Sequence, residues 1–428
     1  MKRFSIVALM ILVVSISACG PGQVFGPTIT PTPTPTQTPT NTPTPTNTPT
    51  NTSTPTMTPT PTVIGGGTGR IWFTTTYEKS ADIFSLNADG TGLARWKNSN
   101  GQSELVDVLS NGDFLWVDRS SGVYLCCIRI STRSGQDIAT LPTRISLSII
   151  NYEYALLPDL TRIIYLGEGG GDFRGQIYSI GMSDTTPLRL TNGAGFNNNI
   201  SLSPNGSYIA WYRDYWLWVM KSDGSQQSKI GEFKRTSSES TWSPDGRFVA
   251  FSAEPSDNSN TSKLYIYSVE GGELREIANG GGNATWSPDG TFITFNGGGG
   301  GLFVISPDGS GLRQIADDNC IEIRWSPDGK RIFCWSIAGA ETVRPITVEV
   351  DGSARTQFEI TFYPNHYGPS ARPVCIDWSP DSRMIAFSGT NDSYQVYVAH
   401  ADGSGMTQLT TSDPNQSLSQ SYCPYWER

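Results

Sequence analysis

Trp242-Ser243-Pro244-Asp245-Gly246 is the stretch that decides the fold. The same five residues return at 286–290 and 325–329, and with one change at Trp378-Ser379-Pro380-Asp381-Ser382. Ser, Pro, Asp and Gly in that order suit the four positions of a tight turn: Pro pre-sets the backbone of the second, and Gly accepts the left-handed angle. Apolar, β-branched runs flank each turn, such as Arg247-Phe248-Val249-Ala250-Phe251 and Lys330-Arg331-Ile332-Phe333-Cys334, and read as strands. A third strand (Lys263-Leu264-Tyr265-Ile266-Tyr267), a second Gly turn (Glu270-Gly271-Gly272) and a short fourth strand at 274–277 complete the unit. Each copy is a four-stranded antiparallel meander.

Degenerate copies lie upstream at Leu202-Ser203-Pro204-Asn205-Gly206, Leu157-Pro158-Asp159 and Leu109-Ser110-Asn111-Gly112. With the residue before each turn as anchor, the copies fall at 109, 157, 202, 242, 286, 325, 378 and 426, so the repeat length is 39–53 residues. Four strands in that length is the pattern of a β-propeller blade. The last anchor, Trp426, has a first strand and no second, whereas Arg70-Ile71-Trp72-Phe73 reads as a second strand with no first. The expectation is an all-β, eight-bladed β-propeller of four-stranded antiparallel blades over 70–428. The C-terminal strand completes the N-terminal blade and closes the ring; seven blades remain possible if the copy at Leu109 is incomplete. Closure removes the exposed sheet edge that invites aggregation. The strands are apolar on both faces, as stacked blades require, and the anchor tryptophans are read as core.

The copies from Trp242 onward resemble the WD-like propeller repeats of the TolB C-terminal domain and the propeller of dipeptidyl peptidase IV relatives. The α/β domain that precedes the propeller in TolB and the hydrolase domain that carries the peptidase triad are both missing. The resemblance therefore implies a propeller used for protein contacts, and it transfers no catalytic residue.

Upstream, residues 1–18 pair a charged start, Lys2-Arg3, with a fifteen-residue apolar run, too short for a comfortable membrane span. This run ends in Ile16-Ser17-Ala18-Cys19-Gly20, which resembles the bacterial lipobox and implies lipidation of Cys19; an ordinary signal peptide is the alternative. Acyl chains contribute ~0.8 kcal/mol per buried methylene, so a multiply acylated Cys19 is a stable anchor. Residues 19–26 then form the lipidated N-terminus. Residues 27–62 are nearly pure Thr and Pro, and a Gly-rich joint runs to 69. In polyproline II, 36 residues at ~3.1 Å each reach about 110 Å. The expected location is extracytoplasmic, lipid-anchored at a bacterial cell surface. The formal charge is −9 and becomes −11 without Lys2 and Arg3; no basic stripe suits nucleic acid.

Short repeated turns occupy one face of the ring, and irregular loops the other. Binding is expected on the loop face, where Tyr212, Arg213, Tyr215 and Trp216 crowd one loop and Tyr363, His366, Tyr367 and Arg372 another. These residue types dominate binding hot spots, although rings packed under their own loops are the plainer explanation. Two disulfides are open to the oxidising compartment, Cys320–Cys334 and Cys375–Cys423, with buried free thiols as the alternative. Asp257, Asn258 and Asn260 lack EF-hand spacing for calcium, the run 297–301 is a hairpin rather than a phosphate loop, and no metal site or cofactor is expected. With two histidines, His366 and His400, no nucleophile elbow and no matched carboxylate pair, catalysis is not expected. The expected function is a monomeric envelope scaffold for a protein or peptide. A glycan-binding or carbohydrate-active propeller is the alternative, favoured if carboxylates converge at the channel mouth.

Overall fold

The computed structural model describes residues 69–428, apart from 78–79, 98–102, 110, 119–126, 141–153, 170–171, 183, 185, 194, 257–260, 339–341, 363–374, 391–393, 412–417 and 428. The chain divides into two units, 1–57 and 58–428, and every described residue belongs to the second. Cys19 and the Thr-Pro segment lie outside the described residues.

Among the described residues all regular structure is β, in thirty-one strands and no helix. The first sheet holds β1 (Arg70–Tyr77), β2 (Ser80–Asn87) and β3 (Ala94–Lys97). The second holds β4 to β7 (Ser103–Val108, Phe114–Asp118, Cys127–Ser131, Asp137–Thr140), and the third β8 to β11 (Tyr154–Leu156, Arg162–Gly169, Asp172–Gly181, Leu188–Arg189). A fourth holds β12 to β15 (Asn197–Leu202, Tyr208–Arg213, Trp216–Lys221, Ser228–Lys229). The run β16 to β22 (Phe233–Trp242, Phe248–Pro255, Lys263–Ser268, Leu274–Trp286, Ile293–Gly297, Leu302–Ile305, Arg313–Ala316) is one seven-stranded sheet. Then come β23 to β26 (Cys320–Trp325, Arg331–Ile337, Val343–Glu349, Arg355–Gln357) and β27 to β30 (Ile376–Trp378, Met384–Thr390, Tyr394–His400, Thr407–Gln408). Finally β31 (Leu418–Trp426) pairs antiparallel with β1, Ile71 opposite Trp426 and Trp72 opposite Tyr425, which makes the first sheet four-stranded.

The seven-stranded sheet departs from the expected meander, in which a fourth strand ends near Ile277. Here β19 runs on for 13 residues and serves as last strand of one unit and first of the next. The passage holds Gly280 and Gly281 at φ +101 and +112, and a Cβ on Gly280 would lie 2.5 Å from the Gly298 nitrogen, so only glycine permits this approach.

Inside each turn the Ser-Pro-Asp-Gly residues form a closed set of bonds. Ser243 Oγ donates to Asp245 Oδ1 at 2.6 Å and accepts from the Phe248 amide at 2.9 Å, while the Gly246 amide donates to the Ser243 carbonyl. Ser287, Ser326 and Ser379 repeat the set. Gly246 sits at φ +71, and Ser382 takes the same left-handed angle, +59, where the motif loses its Gly. Hydrogen bonds from Ser287 and Thr291 hold the Asp289 carboxyl below the usual range against a smaller opposing effect of burial.

The anchor tryptophans are core, and three also tie neighbouring units together. The indole of Trp286 donates to the Thr241 carbonyl at 3.3 Å, Trp325 to Thr285 at 3.4 Å, and Trp378 to Arg324 at 3.3 Å. The acceptor in each case is the residue just before the preceding anchor. Both faces of the central strands are buried: all five residues of β5, and six of seven in β29. Aromatic rings fill the space between units, as where Phe333, Trp335, Phe358, Phe362 and Phe387 meet edge-on.

Candidate functional site

The cluster read from the β13–β14 hairpin is drawn apart by packing. Tyr212 is buried at 2% exposure in an apolar cluster with Leu217 and Phe251. Arg213 turns inward as well: Nε donates to Asn197 Oδ1 at 3.0 Å, a terminal nitrogen donates to the Asn192 carbonyl, and the guanidinium lies 5.1 Å from the Trp218 ring centroid. Burial pushes its pKa below the ordinary value. Trp216 is half-buried beneath the Lys229 ammonium, 3.6 Å from the ring centroid. Only Tyr215 projects, 79% exposed, from a turn with Asp214 and Tyr215 at φ 49 and 72. Tyr363, His366, Tyr367 and Arg372 lie outside the described residues, as do Asp257, Asn258 and Asn260.

The described cavity is elsewhere, toward the turn-bearing ends of the first strands. Its volume is 510 Å³, and its walls are β23, β27 and β31. Glu322 and Arg324 come from β23, Asp377 from β27, and Tyr425 from β31. Glu322 sits at φ 50 where β23 bulges against β24, so an extra residue re-aims the strand. Its carboxylate pairs with Arg324 at 2.9 Å. Asp377 Oδ2 accepts from the Trp426 amide at 2.8 Å. The Tyr425 hydroxyl donates to the Val106 carbonyl of β4. Burial drives the Tyr425 phenol well above its usual range, and the charges of Asp107, Asp377 and Glu104 push it further, against a smaller opposing pull from Arg324. Carboxylates from β4 and β27 therefore act on the Tyr425 phenol, and that of Glu322 on β23 lines the same cavity.

These residues were not singled out from sequence, yet a signal exists. The position before the anchor is Thr241 and Thr285 in two copies, then becomes Arg324, Asp377 and Tyr425 in the last three.

Two disulfides are formed. Cys320–Cys334 joins β23 to β24 with Cα atoms 5.6 Å apart, both cysteines fully buried. Cys375–Cys423 joins the chain entering β27 to β31 with Cα atoms 4.8 Å apart; both are half-buried, and Cys375 lines the cavity. The glycines at 297–301 form the β20–β21 hairpin, closed by a bond from the Gly297 amide to the Gly301 carbonyl. Among the described residues no three His, Cys, Asp or Glu side chains are placed to hold a metal ion.

No family model and no curated protein matches the chain. Solved structures do. One from a study of two prolyl endopeptidases is 12% identical over 70% of this chain and 48% of its own, with a TM-score of 0.50. Oligogalacturonate lyase of Vibrio parahaemolyticus is 15% identical over 74% of this chain and 88% of its own, TM-score 0.45. TolB of Acinetobacter baumannii is 13% identical over 85% of this chain and 68% of its own, TM-score 0.38. The likeness is one of fold: an all-β, TolB-like propeller built of four-stranded antiparallel sheets.

That likeness corrects one expectation. A non-catalytic scaffold for a protein or peptide was the expectation. The matched structures include a lyase and endopeptidases, so the fold gives no ground for that exclusion, and the scaffold reading falls.

Proposed function

We propose that the chain is an eight-bladed propeller, closed where β31 pairs with β1, that receives a small organic cation in the cavity between β23, β27 and β31. The observation that carries the ligand class is the charge around Tyr425. Asp377 lines the 510 Å³ cavity beside the Glu322–Arg324 pair, and its charge, with those of Glu104 and Asp107 on neighbouring β4, acts on the Tyr425 phenol in one direction, against a smaller pull from Arg324. Ligand cavities of about 300–1,000 Å³ with a few convergent polar groups are the usual small-molecule sites. An ammonium ~4 Å from a carboxylate gains about 4 kcal/mol at the effective dielectric of a protein surface.

Closure is supported by three contacts of the C-terminal strand besides its pairing with β1. Tyr425 reaches β4, Arg133 pairs with Glu427, and Cys423 bonds to Cys375. The anchor spacing and the eight four-strand units support the blade count. The lipobox-like Ile16-Ser17-Ala18-Cys19-Gly20 and the Thr-Pro run at 27–62 support a propeller held outside a bacterial membrane by a lipid on Cys19.

Calorimetric titration with 1,4-diaminobutane tests the site. Saturable binding is expected, weakened at least tenfold by Asp377→Asn and by raising salt. Preferential binding of the dianion succinate, or an unchanged affinity in the variant, overturns the proposal.

A further inference from the structure

The two disulfides differ in access and in what they join. Cys320–Cys334 is sealed in the core of one sheet, at 0% exposure on both residues. Cys375–Cys423 is half-buried, crosses between two sheets, and has Cys375 on the cavity surface. Cys375 stands two residues before Asp377, and Cys423 two before Tyr425, so this bond pins together the two strands that carry the cavity's carboxylate and phenol. It also holds β31 where that strand is irregular: pairing with β1 shifts register between Trp72 and Thr74, and Cys423 sits at φ 41.

We propose that Cys375–Cys423 is a redox latch on the cavity, opened by a dithiol that enters through the cavity itself. This deepens the ligand-site reading above and rests on it. The thiolate of a dithiol attacks one sulfur of the bond, the S–S bond breaks, and a mixed disulfide forms. The reagent's second thiol then displaces the protein sulfur. Two electrons and two protons pass to the protein, which leaves with two thiols, and the reagent leaves as a disulfide. Exchange requires access to a sulfur, which the cavity provides here and the core denies to Cys320–Cys334. With the latch open, β31 keeps its pairing with β1 and the Trp426–Asp377 hydrogen bond but loses its covalent tie to the chain entering β27, so the separation of Asp377 and Tyr425 is held less firmly.

The experiment is a native titration of the full chain with dithiothreitol, followed by alkylation and mass mapping. Cys375 and Cys423 are expected to be labelled at least tenfold faster than Cys320 and Cys334. Amide exchange over residues 423–427 is expected to rise at least tenfold on reduction, and 1,4-diaminobutane affinity to fall at least tenfold. A Cys375→Ser/Cys423→Ser variant should match the reduced protein and ignore the reagent. Equal labelling of the two disulfides, or unchanged exchange and affinity after selective reduction, overturns the latch. Labelling and exchange need no ligand. Failure of 1,4-diaminobutane to bind the oxidised protein therefore defeats the ligand reading, while those two measurements still decide whether the bond is selectively opened and releases β31.

Discussion

Replacing Ser379 with Ala removes one oxygen and creates almost no space, so the cost isolates hydrogen bonding. Ser379 is 2% exposed. Its hydroxyl donates to Asp381 at 2.7 Å and accepts from the Met384 amide at 2.8 Å, and Met384 is fully buried. In the variant that amide loses its acceptor. A buried amide without a partner costs about 1–3 kcal/mol, and the Asp381 carboxylate also loses a donor that water replaces in part. The expected loss is about 2 kcal/mol. Ser404 supplies the control: its hydroxyl donates to Asp402 at 2.6 Å in an exposed turn, where water replaces it. Ser404→Ala should stay within about 0.5 kcal/mol of wild type. Urea unfolding followed by tryptophan fluorescence measures both, with Ser379→Ala/Asp381→Ala closing a cycle whose coupling should be about 1 kcal/mol. Equal losses for Ser379→Ala and Ser404→Ala would refute the assignment of the repeat's stability to the buried serine.

The inter-unit indole bonds make Trp378→Phe about 1 kcal/mol worse in urea than Trp242→Phe, because the Trp378 indole reaches the Arg324 carbonyl whereas that of Trp242 meets no acceptor among the described residues. Loop closure alone assigns Cys375→Ala/Cys423→Ala a loss of ~4 kcal/mol and Cys320→Ala/Cys334→Ala ~3 kcal/mol, from separations of 48 and 14 residues; denaturation in oxidising buffer orders the two. Burial, with the neighbouring Tyr178, lifts the Tyr165 phenol from 10.0 to about 12. A raised folded pKa stabilises fully below pH 10 and is lost as pH rises through 12, so Tyr165→Phe should move alkaline unfolding upward and delete one late step from the ultraviolet phenol titration. The Asp289 carboxyl runs the other way: its folded pKa lies below 3.8, so its contribution holds above that value and is lost as pH falls beneath it, and Asp289→Asn should flatten the acid limb of the stability curve.

Much of the fold is legible in a few residues because turn chemistry is local. Ser243, Asp245 and Gly246 bond to one another and to Phe248 within six residues, so the pattern survives in the letters. Continuity of β19 is not local in that sense. It depends on how closely Gly280 approaches the backbone at Gly298, and a Gly-rich run reads equally well as a loop. The contacts of the β13–β14 residues are not local either. Tyr212, Arg213 and Trp216 carry residue types common at interfaces, but the same rings and guanidinium cover the end of their own sheet once Asn197 and Lys229 meet them. Composition reports what a side chain can contact; only the register of β12 against β13 and β14 against β15 decides what it does contact.

The ties between units also explain why the cavity residues vary. Trp286, Trp325 and Trp378 each bond a main-chain carbonyl, that of Thr241, Thr285 and Arg324. A carbonyl is present whatever the side chain, so this bond places no demand on the identity of the residue before an anchor. Trp325 and Trp378 are buried in the core and touch the cavity as well, whereas Arg324 and Asp377 line it from the adjacent, less buried positions. Packing thus constrains one residue of each pair and leaves the adjacent one open to change. Where a repeat protein acquires a site, such a position is the least costly place for it: Thr can become Arg, Asp or Tyr without disturbing the bond that joins the sheets. Substituting Arg324 should therefore alter ligand binding while leaving stability within about 0.5 kcal/mol, whereas substituting the core anchor Trp325 should cost stability. Arg324→Thr and Trp325→Phe, compared by the same titration and the same urea curve, separate the two roles across one peptide bond. A large stability loss in Arg324→Thr would mean that its side chain, and not its carbonyl, holds the sheets together.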